Sequence, residues 1–186
     1  GVAHYAGYAL TTGLALDSLH ASAPPAALTG RIDFDLSGSS LHTLEGDFAV
    51  RVDSASVAGI SLAGPVLTPL ARLNARVEDG LLFVDSARAA TEALLVDARG
   101  SFGLVEGRSG TIDVSAHGTS LASLEDQLFD DLPEPGAPPR VDGSLAATAT
   151  LTGGLSGFDL GASGSVFGMQ YLREQKEATG ATPDDR

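Results

Sequence analysis

Apolar and polar residues alternate along most of this chain, as they do in strands that bury one face of a sheet. The alternation is clearest between Leu70 and Leu104, where it predicts three consecutive β-strands. In the first of these strands, Leu73, Ala75 and Val77 are separated by charged and amide residues. The fold prediction starts from this stretch because a turn signal inside it also fixes the pairing of two strands.

The turn signal is the dipeptide Asp79-Gly80, which follows the first of the three strands directly. Both residues tolerate positive φ, so they predict a two-residue hairpin loop of type I′. Directly opposed residues share a sheet face. The loop therefore predicts that Glu78 faces Leu81, Val77 faces Leu82 and Ala75 faces Val84. The predicted apolar face consists of Leu73, Ala75, Val77, Leu82 and Val84. The predicted polar face consists of Arg72, Asn74, Arg76, Glu78 and Asp85.

The same alternation predicts strands on both sides of this hairpin. After Ala89-Ala90-Thr91-Glu92, the third strand places Leu94, Val96, Ala98, Gly100 and Phe102 on one face. The Pro24-Pro25 dipeptide marks a connector. The remaining predicted strands or apolar runs are Tyr5–Leu10, Gly13–Leu19, Leu28–Ser37, Gly46–Ser54, Val57–Leu62, Gly110–Gly118, Val141–Leu151 and Phe158–Val166.

One segment has a helical period instead. Leu121, Leu124, Leu128 and Leu132 recur at helical spacing and predict an amphipathic helix that is capped near Ser120. The proline-rich residues 133–139 predict a stiff linker after it. The helix has two possible positions at this stage: it caps the apolar face of the sheet, or it is a surface excursion packed on the sheet.

Composition agrees with many short strands. The chain has 186 residues, of which 43% are hydrophobic, with 23 Gly, 7 Phe, 3 Tyr and no Trp. This is enough for one domain or one slab of a longer protein. A weak internal similarity links residues 28–32 and 141–145, which both open a strand with an apolar-x-Gly-x-apolar phrase. Repeated units of this kind predict an extended architecture rather than a closed barrel.

The charge of the chain limits its partners. A formal charge of −13 and a pI near 4.4 argue against binding to nucleic acid or, through charge, to an anionic membrane. There are no cysteines, so disulfides and thiolate metal sites are excluded. The chain starts inside a strand-like stretch and has no apolar run of about 20 residues, so we expect a fragment whose anchor or signal would lie elsewhere.

Motifs for catalysis or metal binding are weak. Residues 33–38 match the start of a calcium loop, but the terminal glutamate would fall at Leu44, and the strict alternation indicates a solvent-facing strand. The four histidines are scattered, and no GxSxG, GxGxxG or phosphate-loop motif occurs. The acidic pairs at 125–126 and 130–131 are typical of a solvated helix face. We therefore predict no enzymatic activity, no cofactor and no metal.

Four phrases carry a family resemblance. They lie at residues 28–38, 77–82, 96–104 and 141–153, each combining strand alternation with glycine at a strand end. In this order they resemble the TamB branch of the AsmA-like proteins, over roughly residues 28 to 172 of the chain. The resemblance rests on the order and spacing of these strand patterns, because these proteins have no catalytic motif to compare.

The resemblance implies a place and a role. Such proteins have an inner-membrane anchor in Gram-negative bacteria, and a long β-sheet crosses the periplasm, folded lengthwise into a trough called a β-taco. The trough carries phospholipid acyl chains toward the outer membrane, and some members assist outer-membrane protein or autotransporter assembly with a barrel partner. This chain would be a middle segment, with membrane contact only through other parts of its parent.

We therefore predict an all-β fold, an elongated, curved, mostly antiparallel sheet that forms a hydrophobic trough, with one short helix near residues 120–132. The predicted organisation is a leading partial repeat and connector (1–27), a sheet unit (28–118), the helix and linker (119–140), a second sheet unit (141–172) and a disordered tail (173–186). Two alternatives stay open, a scaffold that pairs with substrate strands during protein assembly and a closed β-sandwich from a surface or adhesin repeat. The predicted lining of the trough is Ile32, Phe34, Leu36, Phe48, Val50, Val52, Leu73, Val77, Leu82, Val84, Val96, Phe102, Val114, Leu145, Leu151, Phe158 and Leu160.

Overall fold

The structure is a computed structural model that describes residues 2–15, 26–57, 60–63, 69–128 and 141–171. Alternating sequence becomes strand throughout this part of the chain, with one short helix. The elements are β1 (His4–Ala15), β2 (Ala26–Ser37), β3 (Glu45–Val57), β4 (Ile60–Ala63), β5 (Ala71–Glu78), β6 (Leu81–Ala90), β7 (Leu94–Gly103), β8 (Gly110–Gly118), α1 (Leu121–Leu128), β9 (Val141–Gly154) and β10 (Gly157–Tyr171).

All described strands belong to one sheet. Its order is β1-β2-β3-β5-β6-β7-β8-β9-β10, and β4 pairs with the end of β3 beyond β5. Every neighbouring pair on this path is antiparallel, and a single parallel bridge joins Gly103 to Gly154. Because strand direction alternates along the nine-strand path, the two edge strands β1 and β10 run in the same direction.

The hairpin between β5 and β6 confirms the predicted turn. Asp79 has φ 52° and Gly80 has φ 72°, as a type I′ loop requires. The three predicted pairs all form: Glu78 with Leu81, Val77 with Leu82 and Ala75 with Val84.

A β-bulge then breaks the simple register of this hairpin. Asn74 pairs with Ser86, so Asp85 is the extra residue on β6, and Leu73 pairs with Ala87. Without the bulge, Ser86 would lie opposite Leu73 on the apolar face. The bulge instead returns an alanine to that face, and bulges also bend the strand and increase its local twist.

The predicted fold class is confirmed: the protein is an all-β, open, curved and mostly antiparallel sheet with one short helix. A closed sandwich would need a second sheet against the apolar face, and the described strands form only one sheet. The buried centre of that face contains Ala75, Val77 and Val84, which are 2%, 4% and 8% exposed. The strands before residue 118 and those after residue 141 belong to the same sheet, because β8 and β9 pair directly.

Several strand and helix ends differ from the predictions. Residues 55–57 extend β3 because they pair with the start of β2, so Val57, predicted as the start of a separate strand, belongs to β3. The helix is described from Leu121 to Leu128; Leu132, the linker at 133–139 and the tail from 173 lie outside the described residues. Within the described ranges, no helix has both the length and the apolar character needed to cross a membrane.

Candidate functional site

The candidate functional site is one face of the sheet, which we call the apolar face. Directly opposed residues form rows that run across the strands, from one edge of the sheet to the other. The central row contains no polar side chain on any of its nine strands. It consists of Ala9, Ile32, Val50, Leu73, Ala87, Ala98, Val114, Ala149 and Ala162.

Two rows flank the central one. On one side the residues are larger and include aromatic rings; this row is Gly7, Phe34, Phe48, Ala75, Val84, Gly100, Ile112, Leu151 and Leu160. On the other side they are smaller; this row is Thr11, Gly30, Val52, Ala71, Ala89, Val96, Ala116, Ala147 and Gly164. No charged side chain occurs in the three rows.

The structure brings all the predicted lining residues together on the apolar face. Most of them lie in the three rows above, from Ile32 on β2 to Leu160 on β10. Leu36, Val77, Leu82 and Phe102 lie in the next row beyond the aromatic one. The remaining two predicted residues are Leu145 on β9 and Phe158 on β10. Leu145 lies opposite Gly118 on β8, and Phe158 lies opposite Gly153 near the other end of β9.

Small side chains leave a groove in the apolar face. Its volume is about 190 Å³, and it lies over the strands from β3 to β7. A closed ligand pocket usually encloses about 300–1,000 Å³, so this groove is one part of an open surface rather than a separate pocket. Its lining is Val50, Val52, Ala71, Leu73, Ala87, Ala89, Val96 and Ala98; Arg72 and Arg88, which belong to the opposite face, also border it.

Exposure increases from the middle of the apolar face toward the β10 edge. The side chains of the central strands β5 and β6 on this face are buried or half-buried. On β10, Phe158 and Leu160 are 65% and 66% exposed. In the described part of the chain, α1 is the only element besides the strands.

The helix α1 lies over one end of the apolar face. A Cβ atom placed on Gly118 would lie 3.0 Å from Leu124 of the helix and 3.3 Å from the Cβ of Leu145. The helix contacts both β9 and β4, whose positions in the sheet are separated by β6, β7 and β8. The position of Leu124 corresponds to the first of the two predicted helix positions, the cap on the apolar face.

A cluster of hydrogen bonds fixes the start of this helix. The amide of Ser123 donates to Ser120 Oγ at 3.0 Å, which makes Ser120 the N-cap as the sequence predicts. Asp142 on β9 accepts hydrogen bonds from the Ser120 hydroxyl at 2.8 Å, the Gly143 amide at 2.8 Å and the Ala122 amide at 3.4 Å. The Ser120 hydroxyl, followed by the two amides, holds the pKa of Asp142 below its usual range.

The opposite face of the sheet is charged. Arg31, Arg51, Arg72 and Arg88 are directly opposed on four neighbouring strands. Opposed like charges are destabilising, and acidic partners offset this repulsion for three of the four. Arg31 pairs with Asp33, Arg51 with Asp53 at 2.7 Å and Arg88 with Asp97 at 3.4 Å.

The calcium-like motif lies on this charged face. The Arg31 guanidinium beside Asp33 lowers the pKa of that carboxyl group, while Asp35 accepts a hydrogen bond from His4 at 2.7 Å. The two carboxylates thus have partners within the sheet. Across the residues that the structure describes, no group of three or more His, Cys, Asp or Glu side chains is arranged to hold a metal ion.

Sequence reasoning missed some residues of the apolar face. Ala9, Ala87 and Ala89 lie on it, and the last two line the groove. The alternation of Tyr5, Gly7, Ala9 and Thr11 could have indicated the β1 residues. Ala87 could not be found by alternation, because the bulge at Asp85 shifts the phase of β6.

Comparison with family models, with curated proteins and with solved structures found no match to this chain.

Proposed function

We propose that this chain is a periplasmic trough segment that shields phospholipid acyl chains during transport between the inner and outer membranes of a Gram-negative-type bacterium. The observation that carries the proposal is the apolar face, which crosses all nine strands of the main path without a charged side chain in its three main rows. The resemblance to the TamB branch supplies the compartment and the cargo. The role needs no catalytic group.

The side chains of the apolar face suit acyl chains because they offer apolar surface for contact and require no specific polar group on the ligand. Each methylene group that leaves water gains about 0.8 kcal/mol. The hydrocarbon part of an acyl chain has no polar atom that would need a hydrogen-bond partner on the protein. Alanine and glycine side chains project little from the sheet. An acyl chain can therefore lie across the strands, between the row that contains Phe34 and Phe48 and the ends of the strands.

The charged face supports the same proposal. Its ion pairs are exposed, and exposed pairs contribute little to stability. Together with the net charge of −13, they keep the outer side of the sheet in water while the apolar side is occupied. An apolar surface on both sides would instead favour aggregation.

The experiment fills the groove without making it polar. Ala89 and Ala98 both line the groove and are half-buried. The double variant Ala89→Leu/Ala98→Leu should weaken the binding of a fluorescent phospholipid about tenfold. The added leucine side chains would occupy space in which two methylene groups of the lipid are otherwise buried, and returning these groups to water costs about 1.6 kcal/mol. Fluorescence titration measures the affinity, and native mass spectrometry of the purified wild-type chain shows whether phospholipid accompanies it.

The matched control places the same leucines on the charged face. Ala49 opposes Asp33, and Ala146 opposes His117, so both lie away from the groove. The Ala49→Leu/Ala146→Leu variant should bind the phospholipid like the wild type. Equal affinity of the wild type and the groove-filled variant, or no binding by the wild type, would refute the proposal.

A further inference from the structure

Among the residues that the structure describes, β10 is an edge strand that pairs only with β9. Every residue of β10 is exposed, and Asp159 is its only charged residue. Its ladder with β9 runs without interruption from Gly157 to Phe167 before a bulge near Gly168. Natural sheets usually protect such edges with charges, prolines or bulges, because the outer backbone groups can pair with another strand. In β10, eleven consecutive residues contain no proline and no bulge, and Asp159 is their only charge.

We propose that β10 pairs with β10 of a second copy of this chain, antiparallel and about a twofold axis perpendicular to the sheet. This interface goes beyond the proposed lipid-shielding function and does not depend on it.

Strand direction disfavours a mixed pair of β1 with β10, and strand length then favours β10 over β1, because the uninterrupted ladder has eleven residues in β10 and eight, His4–Thr11, in β1. Since β1 and β10 run in the same direction, a second copy that adds its β1 to β10 has two options. A parallel pair keeps both apolar faces on one side of the joined sheet, whereas an antiparallel pair turns them to opposite sides. Pairing β10 with β10 about the twofold axis is antiparallel and keeps both apolar faces on the same side. It therefore extends the antiparallel ladder and the apolar face together.

The register follows from the uninterrupted part of the strand. Its midpoint is Ala162, so the register that uses all of it places Ala162 on the twofold axis. Phe158 then opposes Val166 of the second copy, and Leu160 opposes Gly164. These four residues lie on the apolar face, so apolar residues meet apolar residues.

The same register avoids repulsion on the charged face. Asp159 opposes Ser165 of the second copy, and Gly161 opposes Ser163. No like charges meet, although the chain carries a net charge of −13. The pairing is isologous, so it closes at two copies and leaves a β1 edge at each end of the dimer.

The first test is cross-linking, which is clean because the chain contains no cysteine. Directly opposed antiparallel residues have Cα atoms about 4.5–5.5 Å apart, within the range that a disulfide spans. The Ala162→Cys variant of the full chain should form a disulfide-linked dimer under mild oxidation. The matched control is Ala9→Cys, because Ala9 lies in the same cross-strand row at the other edge and is exposed.

Light scattering of the wild type should give about twice the chain mass of 18.8 kDa. The Gly161→Asp/Ser163→Asp variant should be a monomer, since the introduced carboxylates face each other twice across the axis; an added Cβ at Gly161 has no atom within 4 Å. The Ala6→Asp/Leu10→Asp variant carries the same added charge on β1 and should stay dimeric. A monomeric wild type, efficient cross-linking through Ala9→Cys, or assemblies larger than two copies would each overturn the proposal.

Discussion

At the scale of single residues, two glycines allow the strands to approach each other on the apolar face. Gly46 has φ 133°, and a Cβ there would lie 2.1 Å from the carbonyl oxygen of Asp35. Gly100 has φ 138°, and its Cβ would lie 2.0 Å from the carbonyl oxygen of Thr111. Both values of φ belong to a region that L-residues with side chains rarely adopt. Glycine is therefore required at these positions by the backbone and not only by the space above it.

We predict that Gly100→Ala lowers the free energy of unfolding by about 1–3 kcal/mol, because the variant meets both the backbone strain and the contact with Thr111. Gly157→Ala is the control, since a Cβ there has no atom within 4 Å and its φ lies outside the positive region. Urea denaturation measures both variants. Equal stability of the two variants would show that the backbone conformation at residue 100 does not require glycine.

At the scale of elements, the helix α1 depends on its surroundings. Eight residues are too few for a stable isolated helix in water. The N-cap at Ser120, the carboxylate of Asp142 and the contact of Leu124 with the apolar face hold it in place. The described part of the helix contacts the sheet at few points, whereas the inner strands are paired on both sides, so we expect the helix to open more easily than they do.

We predict that Ser120→Ala lowers the protection of the Leu124 amide from hydrogen exchange about fivefold, because loss of an N-cap costs about 1 kcal/mol. That amide donates to the Ser120 carbonyl at 3.1 Å. Ser123→Ala is the control, since it removes a hydroxyl from the same turn and keeps the cap. Unchanged exchange at Leu124 in Ser120→Ala would contradict the role of the cap.

The pH dependence of this cap follows from Asp142. Its pKa is lower in the folded chain than its ordinary value of 3.8. Its contribution to stability is therefore complete above that value and is lost as the pH falls through the folded pKa. At neutral pH the carboxylate holds the helix fully.

At the scale of the whole molecule, charge is distributed unevenly between the inner strands and the edges. The strands β2 to β8 carry the arginines and most acidic residues of the sheet, while β1 contains no Asp, Glu, Lys or Arg. Across β2 to β8, nine acidic residues and six arginines give a net charge of −3, so most of the net charge of −13 lies outside these strands. A net charge of −13 limits association at neutral pH, and this limit disappears near the pI of about 4.4.

We predict that light scattering by the protein rises sharply as the pH approaches 4.4, because the exposed β1 edges then associate. Thr12→Lys adds a charge to this edge, where Thr12 is exposed, and should suppress the rise. The control is Thr111→Lys on the inner strand β8, where the residue is also exposed. Equal scattering by both lysine variants would show that net charge, and not the β1 edge, controls association.

Except beyond the bulge in β6, alternation in the sequence by itself determined which residues share a face. This holds because side chains of a strand point alternately to its two sides, whatever the strand pairs with. The Asp79-Gly80 turn determined the register of one hairpin, since a two-residue loop leaves no freedom. The placement of Ser120 at the start of α1 was predictable for a similar reason, because capping is local.

Only the tertiary structure decided the remaining features. The bulge at Asp85 depends on how β6 fits β5 and β7 together, so the alternation within β6 cannot show that Ala87 joins the apolar face. The contact of Leu124 with Gly118 joins elements that a local pattern does not connect. The exposure of β10 follows from the order of all the strands. These features arise from pairing between distant segments, and a period along one segment carries no information about them.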